Sequence, residues 1–164
     1  MATLTTTRAA STFPVFQASG AGIVSAAYGT YDVSVDPTPN DIYEICKVPA
    51  GAVILSGHLY AADLDTNATE TLDLDVGWSS NGGSGTYDAA NPAGLGNFGV
   101  ITGDAFAAGN VSNVTGVNYP LNGLLATGVL PTFTKETTII VTAIDDAATL
   151  TAGALTVIVY YVVP

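Results

Sequence analysis

Positive charge is nearly missing from this 164-residue chain: Arg8, Lys47 and Lys135 face 14 acidic residues, for a net charge of −11. A surface of that sign repels phosphate backbones and anionic headgroups, which argues against nucleic acid and anionic membranes as partners. Charge of either sign is scarce too, at 10% against a usual value of about 25%. Hydrophobic residues reach 48%, so this is not the scarcity of a disordered chain. With Cys46 alone no intrachain disulfide can form, and its alternating apolar neighbours suit a small buried hydrophobe. The redox compartment stays open. No run of about 18 apolar residues occurs and residues 1–27 hold no continuous apolar stretch, so neither a membrane span nor a signal peptide is expected.

Catalytic inventory is thin as well. His58 is the single imidazole, mid-strand in an alternating segment, and reads as a surface or interface histidine before it reads as a base. There is no Gly-x-Ser-x-Gly elbow to raise the odds of a triad, and one Cys with one His cannot build a structural zinc site. The glycine-rich run at 81–85 lacks the Lys-Ser/Thr that completes a phosphate loop. Neither an enzyme nor a cofactor is expected.

What is present is β patterning in a chain long enough for one domain. Residues 1–27 read as an extended arm whose apolar knot, Phe13, Val15 and Phe16 around Pro14, can dock on its own domain or on a neighbouring chain. Residues 28–164 form the domain proper. Strands are expected at 31–35, 42–48, 53–60, 71–78, 124–130, 137–144 and 154–163, with no helix of 10 residues or more. Seven or eight short strands of this kind make an all-β antiparallel sandwich or jelly roll. Residues 79–123 give no firm pattern. The last strand is apolar on both faces, which suits either a doubly covered strand or a subunit interface, and Val157, Val159 and Tyr161 are its candidate contacts.

Carboxylates gather in one region. Asp63, Asp65, Asn67 and Glu70 fall in a polar connection resembling a hairpin loop, and Asp73 and Asp75 share the face of the next strand expected to be exposed. Asp63, Asp65, Asp73 and Asp75 are therefore weak candidates for Ca²⁺, although Ala68 and Leu74 stand where an EF-hand requires Gly and Glu. A solvated acidic hairpin that discourages edge pairing is the plainer reading, with no metal. The tyrosines are scattered along the sequence, so the signal for a carbohydrate platform is weak.

Residues 48–66 (VPAGAVILSGHLYAADLDT) and 72–77 (LDLDVG), followed by 135–142 (KETTIIVT) and 151–157 (TAGALTV), resemble small structural proteins of tailed bacteriophages, of the head decoration or cement type. The resemblance implies a β-sandwich, often a homotrimer, that binds the major capsid protein on the outer surface of the head and reinforces joints between capsomers. It implies a virion protein made in the host bacterial cytoplasm. The competing expectation is a tail-associated or surface module that recognises host glycan, with structural calcium at the acidic hairpin.

Overall fold

A computed structural model describes residues 1–15, 22–67, 70–97, 117–121 and 128–164. Its strands are β1 (Thr3–Thr5), β2 (Ser25–Val33), β3 (Ile42–Val48), β4 (Val53–Ala61), β5 (Asp73–Trp78), β6 (Asn91–Asn97), β7 (Val117–Pro120), β8 (Thr137–Asp145) and β9 (Gly153–Val162). No helix occurs among the described residues.

Two sheets form, one in the order β1-β3-β8-β5-β6 and the other β2-β9-β4-β7. From β2 to β5 each successive strand changes sheet, so the two sheets of this all-β domain are interleaved in chain order. β8 and β9 carry dense β-branched runs, TTIIVTAID and GALTVIVYYV, and each lies inside its sheet with a hydrogen-bonded partner on both sides. Between the sheets, Val48, Ile54, Leu59, Val76, Trp78, Phe133, Ile139, Val141, Leu155 and Val157 are at most 1% exposed. Each such large side chain contributes about 1.5–3 kcal/mol relative to leaving it in water.

Trp78 is the largest of them. Its Nε1 donates to the Ala89 carbonyl at 2.9 Å, and its indole packs edge-on against Tyr87 and Phe133. On β6, Gly94 lies against the indole so closely that a Cβ there would collide with the six-membered ring. The turn between β3 and β4 uses Gly51 at φ 81°, a left-handed position that an L side chain occupies only with strain.

Several sequence expectations are corrected here. β2 begins at Ser25, so the expected boundary at residue 27 falls inside a strand. The start of the arm is itself sheet: β1 pairs in parallel with β3, Thr3 opposite Ile42 and Thr5 opposite Glu44. The expected hairpin of 53–60 with 71–78 does not form, because β4 and β5 lie in different sheets and their connection crosses the end of the sandwich. Strands β6 and β7 arise in the segment that gave no pattern, whereas the strand expected at 124–130 lies largely outside the described residues.

Candidate docking face

The alternation of β2 sets Ser25, Gly29 and Val33 inward and Ala26, Tyr28, Thr30 and Asp32 outward. Ladder register carries this across the four-stranded sheet. Tyr28 stands opposite Ile158, Ile158 opposite His58, and His58 opposite Pro120. One pleat along, Thr30 meets Thr156, Thr156 meets Tyr60, and Tyr60 meets Asn118. Ala26, Tyr160 and Ser56 make the row on the other side.

Side-chain contacts knit these rows. The two threonine hydroxyls, Thr30 and Thr156, are 2.8 Å apart. The His58 ring stacks on Tyr60 at 5.7 Å between centroids and 26° between planes. Nδ1 of His58 lies 3.1 Å from Oδ1 of Asn118, to which it donates. Tyr28 and Tyr60 remain 44% and 42% exposed on this face. Among the described residues Asp32, at the end of β2, is the one charge these four strands turn outward.

Arg8 forms the rim. Its guanidinium carbon lies 3.9 Å from the centroid of the Tyr28 ring and 5.2 Å from that of Phe13, and Nη2 donates to the Tyr28 hydroxyl at 2.8 Å. Thr6 anchors the same segment by donating Oγ1 to the Ile45 carbonyl at the bulge of β3. The described part of the arm's apolar knot, Phe13 and Val15, packs on its own domain. Phe13 is half-buried against Arg8, Val15 lies beside it in a hollow shared with Ala26, Ala27 and Tyr161, and Phe16 lies outside the described residues.

Val157, Val159 and Tyr161, expected as interface residues, face the interior and are 0%, 0% and 1% exposed. Their burial between the sheets removes them from any surface; the outward residues of the same strand are Thr156, Ile158 and Tyr160. A strand apolar on both faces hides its parity, and only its register with β2 reveals which set points out.

The acidic candidates separate in the same way. Asp65 is fully buried and its two oxygens accept backbone N–H groups from Asn67, Thr71, Leu72, Ala148 and Thr149, at 2.8–3.3 Å. Burial alone would raise its pKa, but these donors together hold it below the usual carboxylate range. Such a carboxylate ties loops together and has no lone pair to spare for Ca²⁺. Asp73 and Asp75, expected on a solvated face, are 7% and 5% exposed on the outward side of the five-stranded sheet. Burial pushes the Asp73 carboxyl up to about 6, with Asp75 and Asp145 adding to the rise. Asp63 belongs to the β4–β5 connection, and among the described residues no three His, Cys, Asp or Glu side chains converge as a metal site.

Asp88, which carried no signal in the sequence, is a second buried staple. It accepts from Asn81 Nδ2 at 2.8 Å, Gly85 N at 2.7 Å, Thr134 N at 3.0 Å and the Thr134 hydroxyl. These bonds, led by the Thr134 hydroxyl, hold its carboxyl far below the ordinary range. Burial pushes the Cys46 thiol up to about 12, so this sulfur is not a ready nucleophile.

No protein-family model matches the chain, and no curated protein sequence matches it. Solved structures do. A chain from the capsid of Ralstonia phage GP4 superposes with a TM-score of 0.72 over 99% of both chains, at 24% identity. The fold is one that phage capsids contain. A chain of the cyanophage Pam1 capsid asymmetric unit gives a TM-score of 0.64 over 94% of both chains, at 26% identity.

Proposed function

We propose that this chain is a structural virion protein that decorates the outer surface of a tailed-phage head and stabilises the joints between capsomers. The observation that carries the reading is the whole-length likeness to chains of two phage capsids, 99% and 94% of each partner being covered. A match of that extent spans nearly the whole of each chain compared. Together with the resemblance of residues 48–66 and 72–77 to head decoration proteins, it favours an added cement subunit over the shell-building protein itself.

Physical chemistry gives such a protein its effect. A subunit that binds the assembled shell and not its dissociated parts shifts the equilibrium towards assembly by mass action. Its partners in this reading are the major capsid protein and further copies of itself, as a homotrimer. Val15 and the exposed parts of Phe13, held near the rim by Arg8, are proposed contacts to the head. Catalysis finds no support in the geometry: Cys46 is sealed in the core and His58 pairs with an amide and a phenol ring on an open sheet.

One observation favours the second reading, glycan recognition. Tyr28, Tyr60 and Tyr160, scattered in sequence, share one outward face with His58 and Asn118. A single experiment separates the two. Heads lacking this chain are incubated with the purified protein and sedimented. Saturable co-sedimentation at a fixed ratio to the major capsid protein is expected; a chain that stays in the supernatant yet binds immobilised glycan overturns the decoration reading.

A further inference from the structure

The outward sides of the two sheets differ in kind. That of the five-stranded sheet carries Glu44, Lys47, Asp73 and Asp75, while that of the four-stranded sheet carries tyrosine, threonine, isoleucine, histidine and asparagine, with Asp32 at one end. Two copies of a chain with a net charge of −11 repel one another, and they can approach closely only where that charge is absent. The four-stranded face meets this condition.

We propose that this face, centred on the Tyr28–Ile158–His58 row, is the surface through which one copy of the chain packs against a second copy. Its composition is that of a subunit contact: aromatic rings with exposed polar tips, an aliphatic centre at Ile158, and hydroxyl, amide and imidazole groups that can donate and accept across a like surface. Its size suffices. Four strands about 4.8 Å apart and up to ten residues long at about 3.3 Å each give a footprint of roughly 500 Å² per partner. The total of about 1,000 Å² sits at the lower bound for a biological interface, the range of weak, concentration-dependent association.

Arg8 limits the patch. Bound to Tyr28 by its ring contact and hydrogen bond, it sets a cation at the border and draws the N-terminal segment beside the face instead of across it. The contact joins like faces and so closes a twofold pair, separate from the homotrimer of the proposed function, and its test needs no head.

The full chain is brought to about 100 µM in 0.15 M salt and its mass measured by sedimentation equilibrium, beside Ile158→Lys, Thr30→Arg and, as a control away from the face, Val35→Lys. Val35 is 76% exposed, so its substitution tests added positive charge alone. The wild type and Val35→Lys should self-associate, with the two face variants at least about tenfold weaker at an unchanged melting temperature. Thr30→Arg decides the matter if Ile158→Lys does not fold. A monomeric wild type, or face variants that associate like the wild type, overturns the proposal; so does a monomer whose glycan binding is abolished by Thr30→Arg. If the chain self-associates through this face but does not bind heads, the proposed function fails and the contact between copies stands.

Discussion

The carboxylate of Asp65 accepts the backbone N–H of Thr149 at 2.9 Å, joining two loops 84 residues apart in sequence. The same group receives Ala148, Thr71, Leu72 and Asn67, so one buried side chain holds the β4–β5 and β8–β9 connections together at one end of the sandwich. Removing it orphans several buried donors at once, each of which costs free energy when left unbonded. Asp65→Ala should lower stability by more than about 3 kcal/mol, read as a fall in the urea midpoint with little change in slope. A loss below about 1 kcal/mol would show that water replaces the carboxylate.

Asp73 predicts an inverted pH dependence. Its folded pKa, about 6, lies above its ordinary value of 3.8 because of burial first and then Asp75 and Asp145. Between those two values the folded state holds a proton that the unfolded state has released, so stability falls as pH rises through this window. Asp65 and Asp88, lowered in the fold, act oppositely, and their stability is lost as pH falls below about 3.8. The combined profile has its maximum near pH 4–5. Asp73→Asn should flatten the upper limb and raise stability at pH 8 by on the order of 1–2 kcal/mol. Equal denaturation midpoints for wild type and variant at pH 8 would contradict this account.

Arg8 holds the N-terminal segment through two rings and a hydroxyl. Its replacement by glutamine keeps length and polarity but removes the cation, worth about 0.5–2 kcal/mol at a partly exposed site. The Arg8→Gln variant should be nicked by protease near residues 8–15 several-fold faster than the wild type, with the sandwich left intact. Unchanged nicking would assign the segment's attachment to β1 and Thr6 alone.

Parts of this were legible and parts were not, for definite reasons. Ile42–Val48 reads directly from its sequence because turn residues bound a run of β-branched and aromatic residues, and it forms over those same residues. β9 reads as a strand, but with apolar side chains on both faces its inward and outward sets cannot be told apart from sequence, and Val157, Val159 and Tyr161 prove to be the inward set. β6, NPAGLGN, has almost no β propensity; it is an edge strand whose Gly94 makes room for the Trp78 ring, a requirement set by tertiary contact. The docking face joins residues from β2, β4, β7 and β9, more than 100 positions apart at the extreme, through register that no local pattern encodes. Asp65 looked like a metal ligand because its donors sit at 148 and 149, far along the chain.

The central claim is that this chain belongs to the shell of a phage particle, and copy number tests it most directly. Particles purified from a lysate of the source are digested, and this chain is quantified against the major capsid protein by mass spectrometry with labelled peptide standards. The account predicts copies of the same order as the capsid protein, in a fixed ratio that survives repeated banding. A handful of copies per particle, or none, would contradict it.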